Sequence, residues 1–163
     1  MAPPARFVPQ LMNELFGWMK KEKDQMHPLI LSSVFHYEFV FIHPFTDGNG
    51  RMARLWHTAI LAKWNLIFEY IPIESQIEKF QDDYYDAIAK CHVEGESTVF
   101  IEFMLTQIDN TLAELLNQMT DSATDDAILD ADGANHGADH MEGRLLSGLK
   151  QNPYITCLLY TSD

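Results

Sequence analysis

The chain has 163 residues and a mass of 18.7 kDa, room for one compact domain and the start of another. It is 47% apolar and 21% charged, an ordinary globular balance and not that of a wholly disordered chain. With 24 Asp plus Glu against 11 Lys plus Arg, its formal net charge of -13 argues against direct nucleic-acid binding or docking on an anionic membrane.

The helical period dominates the first 120 residues. Val8, Leu11, Met12, Leu15, Phe16 and Met19 recur at spacings of three and four, which predicts a first helix with Pro9 in its first turn. A second helix is expected from about Pro28 to Phe41, apolar on most sides and therefore central. A third starts near Gly50 and ends near Trp64. The piece 66–73, which contains Pro72, reads as a connector. A fourth helix is predicted over Ser75–Cys91, with Ser75 as N-cap and Glu78 completing a capping box. A fifth covers about Val99 to Met119. No strand pattern competes with these, so the expected class is all-α.

Charge then divides the chain. Residues 1–120 carry 9 basic and 16 acidic side chains, and residues 121–142 carry 7 acidic and none basic. The Gly-, Ala- and Asp-rich stretch 121–142 reads as an acidic flexible linker between a main domain over 1–120 and a short tail over 143–163. No apolar run reaches bilayer length, and MAPPARFVPQ has no signal-peptide pattern. Cys91 and Cys157 cannot make a disulfide framework, so a cytoplasmic location is expected.

One segment carries chemistry. His43-Pro-Phe-Thr-Asp-Gly-Asn-Gly-Arg-Met-Ala-Arg54 joins the second and third helices. Gly48, Asn49 and Gly50 can turn backbone N–H groups inward as an anion nest that runs into a helix N-terminus. Arg51 and Arg54 lie three apart on one face of that first turn, where cations oppose the helix dipole unless an anion joins them. Guanidinium suits bidentate phosphate contact. Asp47, at the lip, is placed to hold Mg²⁺ beside a polyphosphate. His43, at the end of the preceding helix, is the side chain for general-base work. Together they point to polyphosphate chemistry at a hydroxyl. Each part also has a plainer use: the glycines as a turn, His43 as a helix cap, Asp47 as an N-cap, and the arginines as partners of acids in this acidic chain.

The segment 43–54 resembles the Fic signature HxFx(D/E)GNGRxxR, with all eight fixed positions present. A chance match is on the order of one in ten billion per window from average residue usage. VPQLMNELFGWM, HPLILSSVFHYEFVFIHPF and DDYYDAIAK are similar to the flanking helices of that family, so the resemblance covers roughly residues 3–118. It implies an all-helical fold and transfer of AMP from Mg–ATP to a Ser, Thr or Tyr hydroxyl of a protein. By resemblance, His43 is the base and Asp47 the Mg²⁺ ligand. Gly48, Asn49, Gly50 and Arg51 hold the phosphates, Arg54 binds the γ-phosphate, and Tyr84 and Tyr85 line the adenine pocket. The intact GNGR favours nucleotide transfer over phosphorylation. His92 stands where some members place an Asn that contacts the nucleotide.

Two family elements are not found in the sequence: a β-hairpin flap that aligns the target, and an inhibitory (S/T)xxxE(G/N) helix whose Glu occupies the second arginine. Their absence implies an N-terminally truncated protein and an Arg54 unblocked by its own chain. MEGRLLSGLKQNPYIT resembles the first helix and turn of a winged-helix module, and residues 157–163 fit no such continuation. A homodimer is left open. His136 and His140 lack a third ligand nearby in sequence, and His36 and His57 read as packing or surface residues. The alternative function is a catalytically inactive nucleotide-binding or regulatory module.

Overall fold

A computed structural model describes residues 3–71 and 73–126. The expected linker beyond residue 126, the tail with its winged-helix resemblance, Pro72, His136 and His140 lie outside the described residues.

Among the described residues there are helices and no strand, as the periodicity predicts. A 3-10 turn over Ala5–Phe7 leads into α1, Val8–Glu22; α2 is Pro28–Ile42 and α3 is Asn49–Trp64. After a 3-10 turn over Leu66–Glu69 come α4, Ile73–Lys79, α5, Gln81–Glu94, and α6, Thr98–Asp126. None of these helices is long and apolar enough to cross a membrane.

The apolar α2 is central because it serves two cores at once. Its Phe35, Phe39 and Ile42 pack with Leu15 of α1 and Ala53 of α3. Its Leu29 and Tyr37 belong to a second core with Leu61 of α3, Tyr84 and Cys91 of α5, and Phe100, Met104, Ile108 and Leu112 of α6. A helix wedged between neighbours on several sides keeps no polar face. That burial also fixes the end of α2, from which the motif loop departs.

The predicted helix over 75–91 is two helices. Phe80 leaves helical geometry (φ -111°, ψ 41°), and Ser75 lies inside α4 and not at an N-cap. The two pieces dock on different stretches of α6. Gln76 Nε2 donates to Glu114 at 2.6 Å and Lys79 Nζ stands 3.4 Å from the same carboxylate, whereas Tyr84 packs its ring against Phe100 and Phe103. The last helix also runs further than its apolar pattern, through Asp126, six residues into the stretch read as linker.

Candidate active site

The loop between α2 and α3 is shaped by three residues. His43 closes α2 in the left-handed region (φ 53°, ψ 58°), its N–H donating to the Phe39 carbonyl at 3.1 Å. It is the one non-glycine residue with positive φ among the described residues. Such a conformation costs a non-glycine residue about 1–2 kcal/mol. Gly48 opens α3 with φ 80°, and a Cβ there would also crowd Arg51 Nη2 at 3.3 Å. Asn49 is 3% exposed and its amide clamps the loop: Phe45 N–H donates to its Oδ1 at 2.9 Å, and its Nδ2 donates to the Phe45 carbonyl at 2.6 Å.

These contacts divide the roles of the motif. The Asn49 side chain is spent on the loop, so contact with an anion there falls to backbone N–H groups. No side chain caps α3. The N–H groups of its first turn have no acceptor one turn back, which is the arrangement that favours an anion. Gly50 has no positive φ, and a Cβ there would meet only Arg54 Nη1 at 3.5 Å. Its bareness keeps the face of the turn open beside that arginine.

His43 is exposed, and its Nδ1 lies 3.3 Å from the Val40 carbonyl. A carbonyl only accepts, so in the neutral ring Nδ1 carries the proton and Nε2 keeps its lone pair. The helix-cap reading of His43 and its use as a base are therefore compatible: the cap uses its backbone and Nδ1, and Nε2 is left over.

The arginines find acids within the chain. Arg51 Nη2 stands 3.2 Å from Asp47 Oδ2, both exposed. Asp47 is thus an ion-pair partner and not the N-cap; Gly48 takes that position. Arg54 Nε donates to Glu74 Oε1 at 3.0 Å. The expectation that the chain leaves Arg54 unblocked is overturned by this contact. Glu74 belongs to the first turn of α4, 20 residues further on, and no inhibitory-helix motif is involved.

Arg54, Glu74, Tyr84 and Tyr85 line one cavity of about 200 Å³, with Ile77, Glu78 and Gln81 completing it. That is below the usual range for a whole ligand and suits a ring or a small group. Tyr84 is 4% exposed and Tyr85 58%. Burial pushes the Tyr84 phenol up to about 12, against the pull of Arg54. His43 and Asp47 are not among the cavity's walls; they flank the loop and the start of α3. His92 instead lines a separate recess with Tyr37, Glu38 and Cys91.

Sequence reasoning missed Glu74, and it read His36 as a packing or surface residue without its contact to Tyr84. Glu74 is one acid among many, and only the fold brings it to Arg54. His36 is fully buried on α2, its Nε2 3.0 Å from the Tyr84 hydroxyl. The only hint of it was a polar ring in the middle of a helix apolar all round.

With the motif's geometry established, comparison with known proteins decides the family. Residues 1–61 match the Fic/DOC family. The crystal structure of a Fic family protein from Desulfovibrio desulfuricans G20 superposes with a TM-score of 0.69 at 46% identity, over 72% of this chain and 36% of that one. The motif-bearing part of the chain, residues 1–61, belongs to the Fic/DOC family. Its relatives include the protein adenylyltransferase Fic of Nematostella vectensis, 35% identical over 122 residues, 72% of this chain and 27% of that protein. The same-named protein of Culex quinquefasciatus is 34% identical over 103 residues, 63% of this chain and 19% of that one. The chain therefore spans only about a quarter or less of these Fic relatives, and the shared part is the one that holds the motif.

Proposed function

We propose that this chain holds the catalytic centre of a protein adenylyltransferase, which transfers AMP from ATP to a hydroxyl of a protein. The observation that carries the reading is the exposed His43 ring, held through Nδ1 by the Val40 carbonyl so that Nε2 keeps its lone pair, at the mouth of a loop that ends in an uncapped helix N-terminus with two arginines. The names of the relatives, protein adenylyltransferase, support the same chemistry.

In this reading the phosphates of ATP lie against the first-turn N–H groups of α3, with Gly48 and Gly50 allowing close approach. Arg51 and Arg54 meet phosphate oxygens and lose their present acid partners in doing so. His43 Nε2 takes the proton of a Ser, Thr or Tyr hydroxyl. The hydroxyl oxygen bonds to the α-phosphorus, and the bond from that phosphorus to the oxygen bridging to the β-phosphate breaks. Pyrophosphate leaves with the electron pair, and AMP stays on the target. Backbone N–H groups and guanidinium charge stabilise the negative charge that builds on phosphate oxygens. Asp47 is an exposed carboxylate beside the phosphate position, a donor that fits Mg²⁺, an ion commonly held by one or two carboxylates plus phosphate oxygens. Bound there, Mg²⁺ would neutralise phosphate charge.

The test is the pattern of nucleotide affinities. Arg54→Ala should weaken ATP by more than it weakens AMP, because the arginine is assigned to the terminal phosphate. Equal weakening of both nucleotides contradicts that assignment.

A further inference from the structure

Behind the cavity wall lies a buried polar cluster that the transfer chemistry does not use. His36 of α2 is 0% exposed, His57 of α3 1% and Tyr84 of α5 4%. The His36 ring meets the rings of Phe100 at 5.2 Å, His57 at 5.7 Å and Tyr84 at 5.8 Å. Its Nε2 is 3.0 Å from the Tyr84 hydroxyl, and its Nδ1 has no hydrogen-bond partner.

The direction of that hydrogen bond follows from what is left unpaired. Burial, with the Arg54 charge adding to it, holds His36 neutral. A neutral ring has one N–H and one lone pair. Were the proton on Nδ1, a buried N–H would have no acceptor. With the proton on Nε2, the unpaired atom is a lone pair. Orphaned buried donors are the rarer of the two in native proteins. So Nε2–H donates to the Tyr84 oxygen, and the Tyr84 proton is not taken by His36. Among the described residues, His36 is the hydrogen-bond partner of that hydroxyl. Its proton is thus free for an acceptor in the cavity that Tyr84 shares with Arg54.

We propose that His36 is a positioning residue: by donating Nε2–H to Tyr84 it locks the tyrosine hydroxyl as a hydrogen-bond donor to an acceptor atom of the bound nucleotide. The inference rests on the nucleotide reading above and adds how the pocket fixes one polar contact. A hydroxyl rotor held from behind gives up little rotational freedom when the ligand arrives. It also discriminates by direction, since it offers a proton and not a lone pair.

Two measurements on the whole chain test this. Long-range nitrogen–proton NMR on the histidines of the ligand-free protein reads the tautomer directly. His36 should show a protonated Nε2 and a bare Nδ1; the opposite tautomer overturns the proposal. Calorimetric titration with Mg–ATP then follows a variant series. Tyr84→Phe and His36→Leu should each raise Kd by about fivefold, the worth of one neutral hydrogen bond. The double variant should be little worse than either, because both remove one contact. His36→Gln, which keeps an N–H near the Nε2 position, should restore most of the affinity, and thermal melting tracks folding throughout. Additive losses, or no loss in Tyr84→Phe, sink the inference and leave the proposed function standing. A folded wild-type chain that binds no nucleotide overturns both.

Discussion

Arg54 Nε donates to Glu74 Oε1 at 3.0 Å, so the arginine assigned to the terminal phosphate already holds a carboxylate of its own chain. Arg54 is one-quarter exposed and Glu74 about two-thirds, so the pair lies at the edge of solvent and contributes little stability, about 1 kcal/mol or less. Its consequence for an incoming phosphate is larger than its consequence for folding. The carboxylate and the phosphate compete for one guanidinium, and they repel each other if both stay.

Removing that competitor should therefore tighten binding. Glu74→Gln keeps the shape and deletes the charge, and Mg–ATP affinity should rise by about fivefold, with AMP affinity changing less. Titration calorimetry at low and moderate salt reads this, and the gain should shrink with salt. If Glu74→Gln binds ATP more weakly, Glu74 orients Arg54 for the nucleotide and does not compete with it.

His43→Ala should reduce transfer by about a hundredfold or more, the usual range for a general base, with Mg–ATP affinity within about twofold of the wild type. The ring is exposed and its hydrogen bond among the described residues is to the Val40 carbonyl, so the fold should survive. Loss of ATP binding at an unchanged melting temperature would place His43 in nucleotide binding and not in proton transfer.

Asn49→Ala removes both bonds to Phe45 and leaves that backbone N–H and carbonyl without their side-chain partner. A cost of about 2 kcal/mol is expected from two such bonds. Gly48→Ala should cost about 1 kcal/mol or more through its positive φ, whereas Gly50→Ala should fold normally. Urea unfolding of the three variants checks the ranking, and equal stability for Gly48→Ala and the wild type would contradict the loop geometry.

The buried histidines make stability depend on pH. Burial takes His57 down to about 4, with the nearby Ser32 backbone, which stands outside hydrogen-bond geometry, pulling weakly the other way. Its unfolded value is 6.5. Above pH 6.5 the ring is neutral in both states and stability is unaffected. As pH falls from 6.5 towards 4, the unfolded chain binds a proton that the folded one refuses, so stability is lost across that window. A shift of this size corresponds to about 3 kcal/mol from His57, with His36 adding loss in the same direction. Urea midpoints at pH 7 and pH 4.5 should differ less in His57→Leu than in the wild type. An equal pH dependence would show that His57 is already charged in the fold.

Much of this was legible in the residues. The apolar spacing of α1, α2 and α3 located them to within a few residues, and the motif lay whole within twelve positions. The break at Phe80 was not legible, because Ile73, Ile77, Tyr84, Ala87 and Cys91 keep helical spacing straight through it. The two pieces each dock on α6, and no Gly or Pro marks the break between them. The same holds for Glu74 and His36. Their partners, Arg54 and Tyr84, are 20 and 48 residues away in sequence, and nothing local announces either contact.

The most direct test of the account uses Mg²⁺ and ATP labelled at either the α- or the γ-phosphate. Whole chain and its His43→Ala variant are incubated in cell lysate, and labelled protein is read on a gel. Labelling of protein from the α-phosphate alone, lost in His43→Ala, is the predicted result and identifies AMP transfer. Labelling from the γ-phosphate would contradict it and make the chain a kinase.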